Sequence, residues 1–414
     1  MLNRTLRLYR NAYRGLPGEA WLLALVMLIN RSGTMVLPYL TLYMTQELHY
    51  SVTEAGVVMA VYGAGALVGT FLGGRLTDRL GFYNVQFLSL LVAGFFLVGL
   101  QFVTDMYALC GFVFGYTLLG DAFRPANSAA IAFYSTPENR TRAYSLNRLA
   151  INLGWSVGGG LGGLLAGINY HLLFWVDGLT CIAAAVVLRL FLAPPVTAPC
   201  TAQEAAGPPA PVRSAYRDPL FLAFAGFTFL FALAFMQLFS LLPLYFKETL
   251  GMPETQIGLL MTLNGLLIVG VEMALVYSIE QRWPGTQTRF IALGVVLTGF
   301  SYAMLNLGPW AGLAVISVIF NTFGEILAMP FMQSFAVNRA SPQNRGQYLA
   351  LYAMAYALAQ ITAPALGSQI VARAGFPTLW TLMALISALS AGGFWWLSQK
   401  LKTRAVASEA LVND

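Results

Sequence analysis

Charge is scarce in this chain of 414 residues: Asp, Glu, Lys and Arg together make up 10% of it, against roughly 25% in an ordinary soluble protein. So few charges cannot cover a water-exposed surface. A soluble enzyme and a charge-rich disordered chain are both excluded. Cysteine is scarce too. Cys110 and Cys181 lie in apolar runs and Cys200 in a Pro/Ala-rich stretch, so no disulfide framework is expected. Of the two histidines, His49 and His171, both fall near predicted external loops. There is no H-E-x-x-H, no G-x-x-x-x-G-K-[ST] and no Cys/His metal spacing. No metal or other cofactor is expected, and no ATP site on this chain.

Apolar residues fill the space: 58% of the chain is hydrophobic, and the mean hydropathy is +0.67. These values point to a polytopic membrane protein. A membrane barrel needs strands with period-two alternation. Runs such as 87–103 are continuously apolar instead, so the expected fold is all-α and integral to the membrane. Twelve helices are predicted: 20–45, 52–77, 84–103, 106–134, 144–168 and 170–192, then 219–246, 255–281, 288–306, 310–337, 346–371 and 376–399. They form two six-helix bundles, 20–193 and 219–399. A linker rich in Pro, Ala and Thr (194–218) joins them. A basic segment (1–19) precedes them and a short tail (400–414) follows.

Positive charge sets the orientation. With the N-terminus in the cytoplasm, all but four of the 23 Lys and Arg sit at or beside cytoplasmic segments. The exceptions are Lys247 and Arg373, which are external, and Arg31 and Arg124, which are inside spans. Both termini are therefore expected in the cytoplasm, at a bacterial inner membrane. The net charge of +6 serves topology and anionic lipid rather than nucleic acid. Arg4, Arg7, Arg10 and Arg14 share one face of an expected interfacial helix.

The two halves repeat. Pro137, Asn139 and Arg140 match Pro342, Asn344 and Arg345 at a constant offset, and Asp78 falls against Glu280. With a one-residue slip, Gly120, Asp121 and Pro125 match Gly324, Glu325 and Pro330. Parallel six-helix repeats are a transporter plan, with substrate held near the bilayer midplane.

The run Gly74-Arg75-Leu76-Thr77-Asp78-Arg79-Leu80-Gly81 resembles the loop 2–3 signature of the major facilitator superfamily. The resemblance covers essentially the whole chain, and 123–154 is similar to the drug:proton antiporter branch. Phe82 and Tyr83 stand where the signature has two basic residues. A Gly-Pro pair is missing from the branch's helix-5 motif, and Arg124 is not the branch's usual helix-4 arginine. The resemblance implies a major facilitator fold, with helices 1, 4, 7 and 10 lining a central cavity and 2, 5, 8 and 11 flanking it. It assigns Gly74, Asp78, Arg79 and Gly81 to conformational gating.

Ionisable residues within spans are costly and so are candidates for function. Arg31, Asp121, Arg124, Glu272 and Glu325 lie on helices that reach the implied cavity. Asp177, on helix 6, is expected to be structural and outside it. Asp121 and Arg124, three apart, share a helix face. They are either a self-neutralised pair or a proton-sensitive switch. Glu272 and Glu325 have no basic residue in the middle of their own helices, a setting in which buried carboxylates exchange protons near neutral pH. Arginines in one half and glutamates in the other also suit a zwitterion.

Glycines four apart, Gly65, Gly69 and Gly73 in helix 2 and Gly154, Gly158 and Gly162 in helix 5, allow close backbone approach. A contact between helices 2 and 5, or with the opposite half, is expected, with Gly154 and Gly158 in a gating role. Asn30, Tyr39, Tyr62, Trp155, Phe235 and Tyr352 are candidate cavity-lining residues. Gly154 to Gly158 also spells G-x-S-x-G, but inside a helix and without a histidine partner it is no nucleophile elbow. The expectation is a monomeric, proton-coupled secondary transporter, contacting membrane lipids and exporting small amphipathic molecules. Uptake of an amino acid or short peptide is the alternative. A membrane-embedded lipid-modifying enzyme is the reading from another class.

Overall fold

The computed structural model describes residues 15–136, 139–194, 214–283, 287–340 and 345–413. The arginines at 4, 7, 10 and 14, the bulk of the linker (195–213), and Pro137, Pro342 and Asn344 of the repeat lie outside the described residues. Among those described there is no strand. The spans are α1 (Gly18–Glu47), α2 (Val52–Leu80), α3 (Phe82–Leu100), α4 (Met106–Tyr134), α5 (Arg140–Ile168) and α6 (His171–Phe191). They continue with α7 (Pro219–Glu248), α8 (Glu254–Arg282), α9 (Gln287–Leu307) and α10 (Ala311–Arg339).

A last helical stretch, Arg345–Asn413, runs for 69 residues. At 1.5 Å per residue it would far exceed a hydrocarbon core of about 30 Å. It is two helices, α11 (345–374) and α12 (376–413), divided by Gly375 at φ 78°, a backbone conformation that suits glycine. Their contacts with α7 show the reversal. Tyr348 packs on Phe221, and Gln237 donates to the Ala363 carbonyl. Past the break, Trp380 packs on Tyr245 and Ser390 donates back to Phe227. The chain climbs α7 with α11 and descends it with α12. The described helices thus supply twelve spans.

Local chemistry sets the helix ends. Ser51 and Glu54 form a capping box at the start of α2. Asp105 caps α4 by accepting from the Tyr107 and Ala108 amides. Gly81, at φ 80°, closes α2 and opens α3. Pro125 denies its helix a bond to the carbonyl of Asp121, and α4 breaks at Ala122 between the two.

The chain divides into two compact units. One comprises Met1–Thr197 with Met252–Val269, the other Ala198–Gly251 with Gly270–Asp414. The first part of α8 therefore groups with the first unit, although it lies in the second half of the sequence. Small residues are the reason. A Cβ on Gly163 of α5 would stand 2.5 Å from the Glu254 carbonyl oxygen and 2.7 Å from the Gly258 Cα. Ser156 and Thr262 each donate a hydroxyl to the other's backbone carbonyl at 3.1 Å.

In the second unit, Asp218 clasps three helix ends. It caps α7, receives Arg339 of α10 at 2.6 and 2.9 Å, and accepts from the Tyr348 hydroxyl of α11 at 3.1 Å. Burial pushes the Asp218 carboxyl up, but Arg339 and the Tyr348 hydroxyl outweigh it and hold its pKa below the ordinary value. A depressed carboxyl stabilises the fold above its unfolded pKa, about 3.9, and loses that contribution as pH falls through the folded value. Asp218→Ala should cost the second unit about 3 kcal/mol at neutral pH, since Arg339 is left without its carboxylate. Asp218→Asn should flatten the loss of thermal stability below about pH 4. Thermal unfolding across a pH series checks both.

Candidate functional site

Inside the first unit, Asp121 and Arg124 form an ion pair at 2.6 Å across the α4 break. The Asp121 side chain is 10% exposed and that of Arg124 is 53% exposed. The carboxylate is thus held from one side while the guanidinium stays accessible. Arg31, near the end of the first α1 segment, feels the charges of both. Arg31 and Asp121 line one cavity of about 30 Å³, together with Asn30, Thr34, Tyr62, Tyr116, Thr117 and Asp177. That is enough for a water molecule. Tyr62 and Tyr116 meet edge to face across it, 6.1 Å between centroids.

Asp177, expected to be structural and outside the central cavity, is 1% exposed and lines this small cavity within the first unit. The cause is a break in α1 that the sequence reading missed. α1 is helical over Gly18–Gly33, resumes over Val36–Leu42, and ends in a π turn, Tyr43–Glu47. The break frees the Val36 amide, and Asp177 Oδ2 accepts from it and from the Met35 amide, both at 3.2 Å, while Met35 also donates to the Gly33 carbonyl at 2.6 Å. Asn30 donates to Cys181 Sγ at 3.4 Å, and Cys181 reaches Asp177 Oδ1 at 3.9 Å. The available signal was Gly33 lying five residues before Pro38, which sits in the first turn of the second segment, where a missing N–H is harmless.

Of the two contacts expected of the glycine helices, the one between helices 2 and 5 is not made, whereas Gly159, Gly160 and Gly163 of α5 meet α8, from the second half of the sequence. Gly65, Gly69 and Gly73 of α2 pack on Thr117, Leu118 and Ala122 of α4. Gly154 and Gly158 of α5 pack on Arg31 and Ser32 of α1, and Gly162 on Met35 and Tyr39. The α5 partners are thus α1 and the start of α8 rather than α2. Tyr39 is fully buried and donates to the Gly159 carbonyl, so it is a packing residue. Asn30 and Tyr62 do line the cavity. A buried amide chain also escaped the sequence reading: Gln86 of α3 donates to Asn127 of α4, which donates to Asn147 of α5.

The remaining candidates lie elsewhere. Trp155, on α5, is half-buried. In the second unit Glu325 of α10 is half-buried and acts electrostatically on Tyr356 of α11. Tyr352 packs edge-on to that tyrosine. Glu272 of α8 is buried, and Phe235 stacks on Phe231. Asp78 and Arg79 are exposed near the end of α2, and a Cβ on Gly74 would meet open space.

Twelve apolar helices, with a paired carboxylate and guanidinium at a helix break inside the membrane-spanning part, describe a multi-pass transport protein. The family model for the Major Facilitator Superfamily matches residues 20–361 and 287–411, and the chain belongs to that superfamily. It is a transporter of that class and not an enzyme. A relative from Planococcus maritimus, named a Na(+), Li(+), K(+)/H(+) antiporter, is 24% identical over 92% of this chain and 95% of its own length. Multidrug resistance protein 1 of Bacillus subtilis is 25% identical over 66% of this chain and 69% of its own. Among solved structures, a POT family transporter in complex with 5-aminolevulinic acid superimposes with a TM-score of 0.80 at 15% identity. That match covers 94% of this chain and 97% of the other.

Proposed function

We propose that this protein is a proton-coupled antiporter that exports small amphipathic organic molecules. The observation that carries the reading is that Asp121, paired with Arg124, lines a small tyrosine-walled cavity together with Arg31 inside a membrane-spanning bundle. A proton on Asp121 releases Arg124, so protonation and substrate occupancy can exclude one another. Relatives named as a multidrug resistance protein and a cation/proton antiporter support this class of chemistry. In this reading the protein is a monomer in a bacterial inner membrane with both termini cytoplasmic. Gly74, Asp78, Arg79 and Gly81 bias the balance between inward-facing and outward-facing states.

Monovalent-cation/proton antiport is the second reading, favoured by the Planococcus maritimus relative, which matches nearly end to end. Uptake of a zwitterion is the third reading; Arg124 is already paired with Asp121, which leaves Arg31 as the cation lining the cavity.

Proteoliposomes under an imposed pH gradient separate the readings. Accumulation of tetraphenylphosphonium supports the first, of sodium the second, and of dialanine the third. Glu325, matched to Asp121 by the repeat, is the first candidate for a proton site in the second unit, and Glu272 the next. Glu325→Gln should cut gradient-driven accumulation by at least about tenfold, the effect of losing one proton-transfer group, while downhill exchange continues. If Glu325→Gln and Glu272→Gln both accumulate fully, the proton role falls to Asp121.

A further inference from the structure

The interruption of α1 turns the Met35 amide onto the Gly33 carbonyl at 2.6 Å and leaves the Val36 amide in need of an acceptor inside the bundle, and an unmet buried N–H is expensive. The acceptor is a side chain that can change charge. Asp177 reaches from α6 and takes both amides on one oxygen, leaving Oδ1 toward Cys181. It also lines the cavity that holds Asp121.

We propose that Asp177 is a proton-binding residue of the transport cycle, loading through this cavity and loosening the α1 break when protonated. The proposal rests on the proton-coupled reading above and adds to it both a site and the joint that the site moves.

The chemistry balances simply. A proton from the cavity, delivered by a water or by Asp121, adds to Oδ1 of the carboxylate. Oδ2 keeps its two amide donors but loses its charge, and charge-assisted hydrogen bonds are roughly twice as strong as neutral ones. The segment Val36–Glu47 is then held less firmly. The groups facing Asp177 set the conditions for loading. From α1 come Asn30, Arg31 and Thr34, from α2 Tyr62, and from α4 Tyr116, Thr117 and Asp121. On α6 itself stands Cys181, while α3 contributes only the apolar Leu90 and Ala93. Arg31 favours the charged form of Asp177 and Asp121 opposes it. Protonation of either acid therefore alters the other, and Arg31 links the two.

Hydrogen–deuterium exchange on the full-length protein in nanodiscs reads the joint directly. After correction for the intrinsic pH dependence of exchange, peptides spanning Met35 and Val36 should lose protection by about tenfold as Asp177 takes its proton. Asp177→Asn, which keeps an acceptor but no charge, should exchange at the fast rate at every pH. Infrared difference spectra of the unmutated protein across the same pH range should show a protonated carboxyl band that is missing in Asp177→Asn. This keeps the test valid if the variant folds poorly. In proteoliposomes Asp177→Asn should lose pH-driven tetraphenylphosphonium accumulation and keep downhill exchange.

Protection at Met35 and Val36 that ignores pH, or an identical carboxyl band in Asp177→Asn, overturns the proposal. So does full pH-driven accumulation by a well-folded Asp177→Asn. Absence of pH-driven flux of every probe in the unmutated protein, with the carboxyl band and the exchange step present, overturns the proton-coupled reading and the transport role of Asp177 together. It leaves Asp177 as a proton-sensitive joint.

Discussion

Gly163→Val should abolish transport while Gly111→Ala leaves it intact. A side chain at 163 meets main-chain atoms of Glu254 and Gly258, and backbone cannot step aside as a flexible side chain can. Overpacking of this kind costs about 1–3 kcal/mol when the site relaxes. Here relaxation means parting α5 from α8, which also breaks the reciprocal Ser156–Thr262 hydrogen bonds. Gly111, by contrast, has no atom within 4 Å of a built Cβ. Flux in proteoliposomes and thermal unfolding of the purified variants check the pair. A Gly163→Val protein that transports normally would mean that this contact has no part in the cycle.

The second large effect is expected at the ion pair. Arg124→Gln alone should reduce pH-driven transport by at least about tenfold and destabilise the fold, because the Asp121 side chain, at 10% exposure, loses its nearest cation. Asp121→Asn alone should be milder for stability, since the Arg124 side chain is 53% exposed and less confined than that of Asp121. The double variant Asp121→Asn/Arg124→Gln should recover part of the stability lost in Arg124→Gln. A coupling on the order of 1 kcal/mol is expected once solvent screening at Arg124 is allowed for. Transport should not recover with it, which separates the structural role of the pair from its role in coupling. Additive stability effects in the double-mutant cycle would show that the pair makes no net interaction.

The fold was legible because membranes leave few solutions. Continuous apolar runs, a polar linker and asymmetric basic loops prescribe helices, their number and their expected direction. Within the site, Asp121 and Arg124 were legible because three-residue spacing on one helix brings them together. The amide bonds of Asp177 were not legible because they depend on a break in another helix. Nothing in the local sequence of α6 records that the Val36 amide will need an acceptor. The full set of glycine partners was hidden for a similar reason. Four-residue spacing shows that a face is smooth but not which helix will lie against it. The regrouping of 252–269 with the first unit depends on Gly258 and Gly265 meeting Gly163 and Ser156, and no single segment shows that pairing.

The amide chain from Gln86 through Asn127 to Asn147 has a consequence for engineering. Asn and Gln side chains neither gain nor lose protons in the biological range. These three side chains therefore hold no proton-binding group, while the α1 and α4 breaks each carry a carboxyl. Under the proposed proton coupling, a gradient would act on a few hinges set in a frame whose amides do not sense it. Recasting Asn127 as aspartate would carry acid sensitivity into the frame itself, making it a route to a transporter whose shutdown, rather than its drive, answers to pH.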